Sequence, residues 1–124
     1  MTAVLVAVLG AAGALGRWLL ANLMQKLGRG FPAGTLTVNV LGSLAIGLVM
    51  TIYAARSALD ARARIGLTAG LLGGFTTYSS FAYETWVLLE KRSYVTAMAN
   101  VLLTVALCLG ACVGGVALGR LLAR

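Results

Sequence analysis

Residues 73–81 read GGFTTYSSF and lie inside an apolar segment of about 65–89. They bring two glycines and four hydroxyl residues to a place where a membrane helix normally has branched aliphatic residues. In hydrocarbon every backbone N–H and C=O needs an internal partner, so a helix broken at the glycine pair is expected to line a cavity or an ion site. The alternative is a kinked helix whose hydroxyls bond to the preceding turn. The stretch alone leaves both open.

The composition indicates an integral membrane protein. Of the 124 residues, 60% are hydrophobic and only 10% are charged, and the mean hydropathy is +0.96. The absence of histidine excludes a histidine-based metal site, and with three acidic residues a hydrolase constellation is very hard to assemble. The ten basic residues lie at the ends of apolar runs, so the net charge of +7 indicates interfacial anchors and predicts no nucleic-acid partner.

Four apolar runs divide the chain, at residues 3–24, 34–55, 65–89 and 94–118. Each has about 20 residues or more, enough for a helix to cross a bilayer, and the loops between them are short. The sequence therefore predicts an all-α membrane protein in which residues 1–124 form a single four-helix transmembrane domain, with the third helix broken at mid-membrane.

Small residues recur at close spacing in the first and fourth runs. Examples are Gly13 with Gly16, Gly110 with Gly114, and Gly115 with Gly119. Such spacing lets helix backbones approach closely in lipid. Four short helices with these contacts enclose little on their own, so a homo-oligomer is expected, most simply a two-fold dimer.

The basic residues give almost no orientation signal. If the loops alternate, the two sides hold four and five of them: Lys26, Arg29, Lys91 and Arg92 against Arg56, Arg62, Arg64, Arg120 and Arg124. Because the asymmetry of Lys and Arg sets orientation, this chain is expected to insert both ways, which permits an antiparallel dimer. Alternatively, Arg17 or a lipid effect favours one orientation.

Two runs carry a polar or small residue at every fourth position, and therefore along one helix face. The members are Thr35, Asn39, Ser43 and Gly47 in the second run, and Thr96, Asn100, Thr104 and Cys108 in the fourth. An amide at mid-depth needs a partner or water, so Asn39 is a candidate site residue, with an interhelical hydrogen bond as the alternative. Stripes of neutral donors suit a small anion better than a cation.

Glu84 and an aromatic stripe complete the candidate residues. Glu84 lies well inside a span, and we expect it to be a structural partner for Arg17 or for backbone amides, with proton coupling as the alternative. Phe75, Tyr78 and Phe81 are spaced by three. Such stripes usually pack, but a ring edge carries positive charge and can meet an anion.

Three motifs occur in order: GALGRW at 13–18, GTLTVNVLGS at 34–43 and GGFTTYSSFAYE at 73–84. Together they resemble the small fluoride channel family of bacteria (Fluc, also called CrcB), over nearly the whole chain. The resemblance implies an antiparallel, dual-topology homodimer with two fluoride pores and a sodium ion buried at the two-fold axis.

Matched by position, the resemblance also implies the site residues. It places the sodium-binding backbone carbonyls at Gly73 and Thr76. The implied pore-lining residues are Asn39 as a donor, Tyr78 and Phe81 as ring edges, and Ser79, Ser80, Asn100 and Thr104 as a polar track. Tyr78 departs from the family, which usually has Phe there, so its hydroxyl could donate to fluoride or occupy the path.

The hypothesis is a fluoride-selective channel, and not an enzyme, that exports fluoride passively across the bacterial inner membrane and so protects against fluoride toxicity. Hydrogen fluoride enters from acidic surroundings and dissociates inside, and the negative-inside potential drives the anion out. The alternative is a small dual-topology proton-coupled drug antiporter. That class would need a carboxylate in the first span, and residues 3–24 have none. A structural subunit of a larger membrane complex is a third possibility.

Overall fold

The computed structural model describes residues 1–56 and 60–123. Its helices are α1 (Thr2–Gln25), α2 (Ala33–Ala55), α3 (Ala61–Ile65), a π-helix (Gly66–Leu72), α4 (Gly73–Phe75), α5 (Tyr78–Glu90) and α6 (Tyr94–Leu122). Among the described residues, α1, α2 and α6 are each long and apolar enough to cross a membrane. They correspond to the first, second and fourth predicted spans, so a helical membrane protein is confirmed at this level.

Short connections join the helices. After α1, the Gln25 side chain closes the loop, because its Nε2 donates to the Phe31 carbonyl at 3.0 Å and its Oε1 accepts from the Gly34 amide at 3.2 Å. At the end of α5, Arg92 has a left-handed φ of 56° and the Ser93 amide donates five residues back along the chain. This arrangement ends a helix sharply. It leads directly into α6.

Two helix pairs pack with their backbones in direct contact. Gly47 of α2 and Gly115 of α6 each lie against a backbone carbonyl of the other helix, so a Cβ at either position would overlap that oxygen. Gly13 of α1 lies in the same way against the Leu71 carbonyl of the π-helix. Small residues permit this approach in membrane helices. The predicted spacing therefore marks real contacts at Gly13 and Gly115, whereas a Cβ at Gly110 would meet nothing within 4 Å in the described chain.

The third predicted span is divided in the structure. Helical geometry ends after α4 and resumes at α5, because Thr76 (φ −80°, ψ 156°) and Thr77 (φ −151°, ψ 109°) are extended. The sequence predicted a break at the glycine pair, and that position is wrong. Gly73 is helical (φ −63°, ψ −39°), and Gly74 is a contact residue whose Cβ would overlap the Gly10 carbonyl of α1. The glycines serve helix packing, and the interruption follows them.

Hydroxyl side chains hold both edges of the interruption. Thr76 Oγ1 donates to the Leu72 carbonyl at 2.9 Å, which is the bond to the preceding turn expected of a kinked helix. Thr77 Oγ1 accepts from the Ser80 amide at 3.2 Å and so caps the first turn of α5. The back-bond expected of a kinked helix is therefore present at Thr76, and the helix is also interrupted at Thr76 and Thr77.

Candidate functional site

The Asn39 side chain of α2 binds the backbone of the interruption on both of its polar atoms. Its Nδ2 donates to the Thr77 carbonyl at 2.9 Å, and its Oδ1 accepts from the Thr77 amide at 2.8 Å. Asn39 is only 9% exposed. A buried backbone amide and carbonyl that lack helical partners need such a replacement. The interhelical hydrogen bond proposed as the alternative for Asn39 is therefore present.

The interruption frees several backbone carbonyls, and side chains satisfy some of them. Arg17 of α1 donates through Nε to the Gly74 carbonyl at 3.1 Å. In a continuous helix the Gly73 and Thr76 carbonyls would accept from the amides four residues on. Those amides donate elsewhere, since the Thr77 amide bonds Asn39 and the Ser80 amide bonds the Thr77 hydroxyl. Gly73 and Thr76 thus carry carbonyl oxygens deprived of their usual helical donors.

An open cavity of about 510 Å³ lies between α2, the π-helix with α4, α5 and α6. The predicted site residues that line it are Asn39, Gly73, Thr76, Tyr78, Phe81 and Thr104. Thr104 Oγ1 is buried and has no hydrogen-bond partner in the described part of the chain. The cavity therefore brings both predicted cation ligands and most of the predicted pore-lining residues onto one surface.

The remaining predicted residues lie elsewhere. Ser80 lines a second cavity of about 240 Å³, together with Arg17 and Glu84. The Ser79 side chain is exposed, and its Oγ lies 3.2 Å from the Thr77 hydroxyl. Asn100 is 1% exposed and donates through Nδ2 to Thr85 Oγ1 at 2.9 Å. The structure thus divides the predicted polar track between two cavities, the contact of α5 with α6 and, for Ser79, the exposed surface.

The aromatic stripe does not share one environment. The rings of Tyr78 and Phe81 are 5.5 Å apart and tilted by 55°. Phe81 is buried, whereas Tyr78 is 80% exposed at the cavity. A Cβ at Gly16 of α1 would lie 3.8 Å from the ring of Phe75, so that ring belongs to the packing of α1. Only Tyr78 and Phe81 remain candidates for a ring-edge site.

The Glu84 carboxylate has a different hydrogen-bond partner from those expected from the sequence. Thr35 Oγ1 donates to Glu84 Oε1 at 2.6 Å, while Arg17 donates to the Gly74 carbonyl. Glu84 Oε2 is buried with no hydrogen-bond partner among residues 1–56 and 60–123. In the described chain Glu84 is bonded by Thr35 of the polar stripe of α2, in place of the expected Arg17 or backbone amides.

These features define a multi-pass helical membrane protein with a polar site around an interrupted helix. The sequence profile of the family described as "CrcB-like protein, Camphor Resistance (CrcB)" matches residues 4–116. The chain belongs to this family, and the resemblance inferred from the three motifs is confirmed.

Individual relatives agree with this assignment. The chain is 50% identical over 110 residues to the fluoride-specific ion channel FluC of Geobacter metallireducens, covering 88% of this chain and 89% of the relative. It is 50% identical over 111 residues to the fluoride-specific ion channel FluC of Geobacter sulfurreducens, covering 88% and 90%. With the protein of the same name from Methylococcus capsulatus it shares 46% identity over 119 residues, which is 95% of this chain and 52% of the relative.

Proposed function

We propose that this protein is a fluoride-selective channel, and not an enzyme, that exports fluoride passively across the inner membrane and protects the cell from its toxicity. The observation that carries the proposal is 50% identity over 88% of the chain to proteins named fluoride-specific ion channels. The membrane potential supplies the driving force for an anion to leave, so no further energy source is required.

The first cavity supports an anion path. A permeant anion must exchange its hydration shell for donors in the protein, and Thr104 presents a buried hydroxyl with no partner in the described chain. Tyr78 and Phe81 line the same cavity, and we propose that their ring edges meet the anion. The pore-lining set we propose is Asn39, Tyr78, Phe81, Ser79, Ser80, Asn100 and Thr104. In this proposal Asn39 acts by positioning the Thr77 backbone, and Asn100 acts by positioning the Thr85 side chain.

The expected result for the purified protein is fluoride efflux from proteoliposomes without chloride efflux. Vesicles loaded with potassium fluoride or potassium chloride are diluted into an impermeant anion, and valinomycin balances the charge. An ion-selective electrode then follows the released anion. Equal rates for the two anions, or fluoride release no faster than from protein-free vesicles, would contradict the proposed function.

We propose that the assembly is an antiparallel homodimer of four-span chains, in which α3 to α5 together form the third, broken span. The first cavity is open in one chain, and Tyr78 at its edge is 80% exposed. A second copy would cover both. The balance of four against five basic residues supports insertion in both orientations.

Reporter fusions at the C-terminus are expected to be active on both sides of the membrane in one culture. A fluorescent protein that matures only in the cytoplasm and a phosphatase active only in the periplasm are suitable reporters. Two lysines added beside Arg120 are expected to bias the population toward one side, because a small charge change outweighs the existing balance. Two added glutamines are the control. Activity of only one reporter in the unmodified protein would refute dual topology.

We also propose that a structural sodium ion binds the Gly73 and Thr76 carbonyls at the two-fold axis. Carbonyl oxygens suit a hard cation, and these two have lost the amides that would bond them in a continuous helix. Gly73 is exposed in the single chain and lines the cavity that the partner is proposed to cover. When bound, the ion would supply positive charge close to the anion path.

A further inference from the structure

The double hydrogen bond between Asn39 and Thr77 has a consequence for the carbonyl of Gly73. We propose that Asn39 is a positioning residue for the cation site, because by engaging the Thr77 amide it keeps the Gly73 carbonyl free to bind the ion. The proposal rests on the sodium site described under the proposed function. It assigns Asn39 a role in building that site, separate from any contact with a permeant anion.

The backbone carbonyls before the interruption differ in their hydrogen-bond donors. The Leu72 carbonyl accepts from the Thr76 amide at 3.0 Å and from the Thr76 hydroxyl at 2.9 Å. The Gly74 carbonyl accepts from Arg17 Nε at 3.1 Å. Between these two satisfied oxygens lies Gly73, whose helical donor would be the Thr77 amide. That amide is 2.8 Å from Asn39 Oδ1.

Without an acceptor at residue 39, the Thr77 amide would be left unpaired in a part-buried place. A buried amide with no partner is costly, so the chain would restore one. The closest acceptor by helical geometry is the carbonyl four residues earlier, at Gly73. The helix of α4 would then continue through Thr76, and the Thr77 amide would occupy the oxygen that the ion needs. The hydrogen-bond acceptor of residue 39 therefore decides whether the Gly73 carbonyl is free to bind the ion.

Two classes of variant separate this role from simple packing. Asn39→Leu and Asn39→Ala both remove the acceptor, the first at similar volume and the second with loss of volume. Asn39→Asp keeps an acceptor oxygen at the same reach whether or not its carboxyl is protonated. Thr37→Val is the matched control on α2, since among the described residues the Thr37 hydroxyl bonds only the Ala33 carbonyl of its own helix, at 2.8 Å.

The readout is the sodium dependence of thermal stability. Each protein is purified throughout in N-methyl-D-glucamine chloride and then titrated with sodium chloride at constant ionic strength, while tryptophan fluorescence reports the melting temperature. An ion that binds only the folded protein raises this temperature in a concentration-dependent way. Fluoride efflux of the unmodified protein is measured in parallel, so that failure of the channel and failure of the cation site are separate results.

The sodium concentration that gives half of the stabilisation is expected to rise about tenfold or more in Asn39→Leu and Asn39→Ala, because the ligand oxygen must first give up a hydrogen bond. It is not expected to rise in Asn39→Asp, which keeps the acceptor for the Thr77 amide, and it is expected to match the unmodified protein in Thr37→Val. An unchanged sodium dependence in Asn39→Leu overturns the proposal, even if that variant melts lower overall. A sodium-independent unmodified protein overturns both the cation site and the role of Asn39, and normal fluoride efflux would then leave only the channel proposal standing.

Discussion

Gly73→Val is expected to abolish fluoride flux and to dissociate the dimer while the single chain still folds. A Cβ at Gly73 would have the Thr68 carbonyl oxygen, at 3.5 Å, as its nearest neighbour in the described chain, which is ordinary van der Waals contact. The added Cβ therefore meets no obstacle in the described part of the chain. It projects at the open cavity, where the second copy and the ion are proposed to lie. Multi-angle light scattering would give the mass in detergent, and vesicle efflux would give the flux.

The neighbouring glycine provides the contrast. A Cβ at Gly74 would overlap the Gly10 carbonyl of α1, so Gly74→Val is expected to destabilise the fold of the chain itself. The two substitutions add the same side chain one residue apart and should fail at different stages. A dimeric, fully active Gly73→Val protein would refute both the interface and the cation site at this position.

The glycine pair also illustrates how far the sequence could predict the fold. Its composition correctly marked the third run as the irregular one, because glycines and hydroxyls are unsuited to a regular membrane helix. It could not place the interruption, since Gly74 is required by the approach of Gly10 on α1. That approach depends on how two segments about 60 residues apart in sequence pack together. The extended residues are instead Thr76 and Thr77, whose hydroxyls provide the bonds at each edge.

The candidate site was predicted as a set of residues and only partly as a set of contacts. The fourfold spacing placed Asn39 on a polar face and required a partner for its amide, but could not choose between an anion and a backbone segment 38 residues away. Similarly, Asn100 was placed on the polar track, whereas it is buried against Thr85. Periodicity gives the face of a helix, and only tertiary packing gives the partner. The ring of Tyr78 is exposed and lines the open cavity.

The contact of α2 with α6 is also expected to be sensitive to added volume. These two helices form the most extensive pair in the described structure, and Gly115 lies in it against the Leu44 carbonyl. Gly115→Val would force the backbones apart, and overpacking of this kind typically costs about 1–3 kcal/mol. Lipid supplies no compensating hydrophobic drive between helices, so the loss should appear directly as a lower melting temperature.

Gly110→Val is the matched control, because it adds the same side chain to α6 five residues earlier, where a Cβ would meet nothing within 4 Å in the described chain. Both variants carry the same change in helix propensity, so the difference between them isolates the contact with α2. Tryptophan fluorescence can follow the melting of both variants. The two tryptophans of the chain lie outside α2 and α6, the two helices whose contact is being tested. Equal melting temperatures for Gly115→Val and Gly110→Val would show that the backbone contact at Gly115 does not hold the two helices together.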